Sequence, residues 1–300
     1  MHIDLIKNEL IIEDSLIING NAKNALSIIP DESIQCVITS PPYWGLRDYQ
    51  DKEQIGLENN LYEYITNLVG IFEEVKRVLK KDGIFWLNIG DCYTSGNRGW
   101  RAADKKNGKR SMKIRPDNPF NIKNKNLIGI PWRLALSLQE KGWYLRSDII
   151  WNKPNCQPES VKDRPTRCHE YIFMFTKSEK YKYFYNESKE KINGRFRNRR
   201  TVWDVPTELN RSTIHLAQFP EALIKPCIIA STKENDYILD PFFGSGTVGL
   251  MAKHMNRKFI GIELLPEYIE LSLNKINIDH SYVYKIRNKI ELISTNNLNK

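Results

Sequence analysis

The apolar run Ile34 to Ile38 reads as a short buried strand, and Thr39-Ser40-Pro41-Pro42-Tyr43-Trp44 follows it at once. Two successive prolines fix φ twice and remove two ladder donors, so the strand must end there and hand the chain to a rigid loop. In open parallel α/β sheets, chemistry gathers in such loops, at the carboxyl ends of strands. A loop offering a hydroxyl, proline carbonyls and an aromatic face could hold a planar group with an exocyclic amine. A nucleobase is such a group.

The rest of the chain repeats the strand–loop–helix rhythm. Leu16 to Asn19 predicts a strand, and Ala22 to Ile29 a helix ended by Pro30. Apolar residues at Leu61, Ile65, Leu68, Val69, Phe72, Val75 and Leu79 predict a helix with one buried face over Leu61 to Lys80. A Lys81-Asp82-Gly83 turn should lead into a strand from Ile84 to Ile89, and Ile130-Pro131 should open a helix through Leu138. Tyr144 to Trp151 and Glu170 to Thr176 read as an edge hairpin. Further on, a helix from Phe219 to Ile229, strands Tyr237 to Asp240 and Lys258 to Ile262, and helices through Met255 and over Pro266 to Ile276 complete the pattern. The expectation is a Rossmann-like α/β fold with a seven-stranded, mostly parallel sheet.

Forty-five lysines and arginines against 36 aspartates and glutamates leave a formal charge of +9, which favours a polyanionic partner. Residues 92–126 form one basic insertion, with Trp100 and Phe120 among its arginines and lysines. Residues 177–211 form a second, with Arg195, Arg197, Arg199 and Arg200 close together and tyrosines interleaved. Solvated loops are one reading of these segments, and phosphate-contacting flanks of a cleft are the other. The second is preferred because a compact fold does not need them. Cys36, Cys92, Cys156, Cys168 and Cys227 lack metal-site spacing, so no metal is expected and a reducing, cytoplasmic setting fits best. No signal peptide and no membrane-spanning run is visible.

A second loop carries chemistry. Asp240-Pro241-Phe242-Phe243-Gly244-Ser245-Gly246-Thr247 follows a strand and opens a helix, whose N-terminus suits a carboxylate. It lacks the Lys-Ser/Thr of a phosphate-binding loop. The next strand ends in Gly261-Ile262-Glu263, an acidic residue where ribose hydroxyls would lie. Together these describe a nucleoside ligand with a carboxylate and no phosphate, which fits S-adenosylmethionine.

Thr39 to Tyr49 resembles the catalytic motif of amino-methylating DNA methyltransferases, and Asp240 to Thr247 and Phe259 to Glu263 resemble their cofactor motifs. Ile89-Gly90-Asp91, Ser147 to Pro154 and Phe219-Pro220-Glu221 also match. The catalytic motif precedes the cofactor motif, which resembles the permuted (β) class. That order argues against the glutamine and ribosomal methyltransferases with a similar Pro-Pro-Tyr motif. Ser40 in first place resembles the N4-cytosine enzymes, with N6-adenine as the alternative. Asn21 stands where the family usually has Asp beside the cofactor's adenine. A 5-methylcytosine enzyme would need Pro226-Cys227 in a loop, but the flanking residues read as helix.

The resemblance implies a catalytic domain over residues 1–176 and 212–278, a target-recognition segment at 177–211 and a tail at 279–300. It implies Ser40, Pro41, Pro42 and Tyr43 as catalytic, with Tyr43 stacking on a flipped-out base. Asn21, Asp240, Phe242, Gly244, Gly246, Thr247 and Glu263 would bind S-adenosylmethionine. Arg195, Arg197, Arg199, Arg200 and Trp44 would contact double-stranded DNA, with Trp44 alternatively filling core. Lys153, His169 and Glu170 read as cleft or structural residues. A cognate restriction endonuclease is the expected partner in the same system, with no membrane, and the chain is expected as a monomer or homodimer. RNA methylation and an inactive binding module are the competing readings.

Overall fold

The computed structural model describes residues 5–6, 9–10, 14–94, 116–119, 121–208, 219–287 and 291–294. Most of the first basic insertion therefore lies outside the described residues.

The strands are β1 (Leu5–Ile6), β2 (Glu9–Leu10), β3 (Leu16–Asn19), β4 (Ile34–Thr39), β5 (Leu79–Ile89), β6 (Tyr144–Asn152), β7 (His169–Thr176), β8 (Glu190–Ile192), β9 (Arg195–Arg197), β10 (Val202–Asp204), β11 (Tyr237–Asp240), β12 (Lys258–Glu263), β13 (Val283–Arg287) and β14 (Glu291–Ser294). The helices are α1 (Ala22–Leu26), α2 (Leu61–Val78), α3 (Ile130–Glu140), α4 (Glu221–Ser231), α5 (Thr247–His254) and α6 (Pro266–Ile276).

One large sheet runs β10-β6-β7-β5-β4-β11-β12-β3-β13-β14. From β5 across β4, β11, β12 and β3 to β13 every pair is parallel, while β7 is antiparallel to both β5 and β6. The seven strands read from sequence form the contiguous centre of this sheet. Among the described residues the sheet is wider than expected, with ten strands, because three short strands are added at its edges. β10 pairs with β6 and buries Trp203, so part of the 177–211 segment belongs to the sheet. β13 pairs with β3, so the segment expected as a tail extends the other edge.

Alternation along the central strands fills two cores, one on each face. Leu16, Ile18, Val37, Phe85, Leu239 and Ile260 pack against α1, α2 and α3. Ile17, Cys36, Ile38, Trp86, Ile238 and Phe259 pack against α4, α5 and α6. The expected 81–83 turn is instead a bulge within β5, where the pairing jumps from Ile34–Leu79 to Cys36–Ile84. A Cβ on Gly83 would come within 2.8 Å of the Gln35 carbonyl, so this glycine serves close strand approach. Cys227 lies buried inside α4, and burial pushes its thiol well up, as a helix residue rather than a nucleophile. Cys156 and Cys168 are joined in a disulfide, a pairing the reducing setting had not led us to expect.

Candidate active site

Adjacent parallel strands β4 and β11 leave the sheet in opposite directions along its order. β4 leads through α2 to β5 on one side, and β11 leads through α5 to β12 on the other. Such a switch point opens a crevice beyond the strand ends. Both motif loops start there. The Thr39 hydroxyl donates to the Asp240 carboxylate at 2.6 Å, tying the two strand ends together. Asp240 also accepts from the Phe242 amide at 3.1 Å. Burial pushes its carboxyl up to about 7, against the pull of those two bonds.

A cavity of about 1280 Å³ opens over this point. It is lined by Ser40, Pro41, Pro42, Tyr43, Asn21, Asp240, Phe242, Gly244, Thr247 and Glu263, which sequence placed in two separate sites. Gly246 is not among its walls. It stands at the start of α5 with φ +79°, and a Cβ there would meet Ser272 at 2.7 Å. Its role is therefore to let the turn close. Glu263 holds the cofactor-side loops in place: one oxygen accepts from the Gly244 amide at 2.7 Å, the other from the Leu265 amide at 2.9 Å. Asn21 caps α1, accepting from the Asn24 amide at 2.9 Å, and its amide group donates to Glu53 at 3.0 Å. Thr247 accepts from Lys275 at 2.7 Å.

The proline loop is held rigidly. The Tyr64 hydroxyl donates to the Pro42 carbonyl at 2.8 Å, from the buried face of α2. The Ser40 hydroxyl donates to the Tyr43 hydroxyl at 3.4 Å, and Tyr43 in turn donates to Glu170 at 2.7 Å. Glu170 also accepts from Asn88 at 3.2 Å and pairs with Lys153. Burial, then the neighbouring Glu170 charge, holds the Tyr43 phenol well above its usual range, so it keeps its proton. The ring of Tyr43 lies against Gly90, where a Cβ would come within 2.7 Å of it.

Glu170 and Lys153 thus stand in the cavity wall: of the two readings open for each from sequence, the cleft one holds, although a structural role had been preferred for Glu170. Their signal was positional: each sits at the cavity end of a β6 or β7 strand paired in the same hairpin. Arg47 was also given no role. It lines the cavity, is only 5% exposed, and its guanidinium contacts the Tyr49 and Tyr268 hydroxyls, while Nε and Nη2 are buried without a partner of their own.

Trp44 takes the alternative place expected for it, in the core. It is buried in the core beside α2, and its indole donates to the Glu58 carbonyl at 3.0 Å. The arginine group lies away from the cavity wall. Arg195 and Arg197 belong to the β8–β9 hairpin, Arg197 bonds Glu190 at 3.0 Å, and Arg199 lies over the Trp203 ring. Arg195, Arg199 and Arg200 are exposed, and Phe196 on the same hairpin is 69% exposed.

Among the described residues, no group of His, Cys, Asp and Glu could hold a metal ion. The cavity suits a nucleoside: a glycine turn and a buried carboxylate at the neighbouring strand end stand in its wall. Comparison with known proteins agrees. The DNA methylase model of the N6/N4 methyltransferases matches residues 34–274. The chain is 58% identical over 268 residues to the type II methyltransferase M.Cfr9I of Citrobacter freundii, covering 89% of each. It is 52% identical to M.SmaI of Serratia marcescens, covering 87% of this chain and 90% of that one. Its fold is similar to the cytosine-N4-specific PvuII DNA methyltransferase, with TM-score 0.67 and 20% identity over 95% of this chain and 90% of that one. It is also similar to a Thermus thermophilus protein described as a candidate DNA modification methylase, solved with S-adenosyl-L-methionine, with TM-score 0.62 and 22% identity, covering 87% of this chain and 93% of that one. A sheet crevice carrying both motifs, and relatives matched along nearly their whole length, place the chain in the S-adenosylmethionine-dependent N6/N4 DNA methylase family.

Proposed function

We propose that this methylase transfers its methyl group to the exocyclic N4 of a cytosine flipped out of duplex DNA, as the modification half of a type II restriction–modification system in the cytoplasm. The observation that carries the reading is the direction of the Ser40–Tyr43–Glu170 chain. Ser40 spends its proton on Tyr43, and Tyr43 spends its own on Glu170. The Ser40 lone pairs therefore remain to accept from an incoming amine. Ser40 and the Pro41 carbonyl together take the two amine hydrogens, which draws the nitrogen toward tetrahedral geometry and frees its lone pair.

S-adenosylmethionine supplies the activated methyl group. The amine nitrogen forms the new N–C bond as the methyl–sulfur bond breaks, and one amine proton leaves to solvent. Asp240, Phe242, Gly244, Thr247 and Glu263 surround the cofactor, and the rigid proline loop sets the approach. Positioning and electrostatics carry most of the rate gain. The target atom is shielded in a duplex, so the base must leave the stack to reach the cavity. Cytosine is preferred to adenine because serine holds the first position of the motif, as in the N4-cytosine enzymes. Identity with type II methyltransferases along the chain supports the restriction–modification setting.

Ser40→Ala tests the role directly. Turnover on duplex DNA should fall by about 100-fold or more, as when a donor or acceptor is lost at a reacting centre. Cofactor affinity by calorimetry should stay within about threefold, since such a change removes no ground-state cofactor contact. A variant with undiminished turnover would remove Ser40 from the chemistry.

A further inference from the structure

The bonds that prepare Ser40 for an amine also form a route for the proton that the amine must lose. The Ser40 hydroxyl donates to Tyr43 at 3.4 Å, and the Tyr43 hydroxyl donates to the Glu170 carboxylate at 2.7 Å. This chain crosses the end of β5, from the loop after β4 to the start of β7. All three residues line the cavity. The Glu170 side chain is 17% exposed, so its carboxylate is sheltered yet open to the cavity. Asn88 donates to the same oxygen as Tyr43, at 3.2 Å, and the Lys153 ammonium pairs with the other. The carboxylates on the cofactor side are tied elsewhere, Asp240 to Thr39 and the Phe242 amide, Glu263 to the Gly244 and Leu265 amides.

Methyl transfer exchanges a sulfonium cation for a neutral thioether and leaves one proton over. A serine hydroxyl is too weak a base to keep that proton, and the Tyr43 phenol already holds its own. A carboxylate takes it without creating charge: a cation and an anion stand before the reaction, two neutral groups after it. The longer first step of the chain is of the kind that tightens once a substrate is bound.

We propose that Glu170 is the terminal proton acceptor of the methyl transfer, reached through Ser40 and Tyr43. As the amine nitrogen bonds the methyl carbon and the carbon–sulfur bond breaks, one amine proton passes to Ser40 Oγ. The Ser40 proton moves to the Tyr43 oxygen, and the Tyr43 proton to Glu170 Oε2. The nitrogen keeps its other hydrogen, on the Pro41 carbonyl, and both hydroxyls end as they began, protonated. The Lys153 charge is then left unmatched, and release of the proton into the cavity restores the ion pair. The relay rests on Ser40 accepting from the amine and serves either base, so it and the cytosine reading fail separately.

Single-turnover methyl transfer from labelled S-adenosylmethionine to duplex DNA tests it. Glu170→Gln keeps the size and an acceptor oxygen for Tyr43 but not the basicity, and should slow transfer about 100-fold, as for a lost general base. Tyr43→Phe breaks the chain and should slow it similarly. The double variant should be no more than about threefold slower than either, since members of one relay act as a unit. Glu170→Ala should regain about tenfold in formate and nothing in formamide, a neutral molecule of similar size that fills the space without taking a proton. A wild-type rate for Glu170→Gln, or formate and formamide acting alike on Glu170→Ala, would overturn the relay. If the Glu170 variants fail to fold, Tyr43→Phe at the wild-type rate would overturn it as well. Undiminished turnover in Ser40→Ala would instead remove the reading on which the relay rests.

Discussion

Burial and two donated hydrogen bonds pull on the Asp240 carboxyl in opposite directions, and burial prevails, raising it to about 7. The unfolded value is about 3.9. The folded chain therefore keeps a proton that the unfolded chain has already lost. The resulting stabilisation is full below about pH 4 and is lost as pH rises to about 7. Asp240→Asn can accept the same bonds from Thr39 and Phe242 but never charges. Denaturant titrations should show its advantage over wild type widening between pH 5 and pH 8, by on the order of 2 kcal/mol. A pH-independent difference would contradict a proton held at Asp240. A carboxylate so placed beneath the cofactor turn is costly to keep charged, and its hold on the Thr39 hydroxyl fixes the strand end that delivers Ser40.

At the level of elements, glycines show how tightly the cofactor half is packed. A Cβ on Gly261 of β12 would lie 2.5 Å from the ring of Phe243, while one on Gly70 of α2 would meet nothing within 4 Å. Gly261→Ala should cost about 1–3 kcal/mol by overpacking, and Gly70→Ala should gain about 0.5–1 kcal/mol from helix propensity. Urea unfolding of the two variants would separate them, and a stabilised Gly261→Ala would show that Phe243 can yield. The same packing explains what sequence could and could not reveal. Leu16–Asn19, Tyr237–Asp240 and Pro266–Ile276 have the expected boundaries because period and prolines act locally. The Gly83 bulge was read as a turn because its reason, the neighbouring Gln35 carbonyl, is not local. Glu170 likewise stayed ambiguous between cleft and structural residue in sequence, because what decides it is the pairing of β7 with β5 and β6 that brings it to Tyr43. Trp44 stands inside the catalytic motif in sequence, yet its apolar ring is drawn into the α2 core.

Across the whole molecule, the crevice mixes cations with carboxylates, Arg47 and Lys153 with Glu170 and Glu263 among them, whereas the arginine group outside it is of one sign. Arg195, Arg199 and Arg200 stand exposed around the β8–β9 hairpin and the edge strand β10, which pairs with β6. If they contact phosphates, replacing all three by alanine should reduce the salt slope of duplex binding by about 2–3, at roughly 0.9 per contact. An unchanged slope would move DNA binding to another surface. Fold, cofactor crevice and family agree, and the choice of target atom rests on Ser40. The most direct measurement is mass spectrometry of nucleosides from DNA methylated by the purified chain with labelled S-adenosylmethionine. The account predicts label in N4-methylcytosine, whereas label in N6-methyladenine or 5-methylcytosine would contradict it.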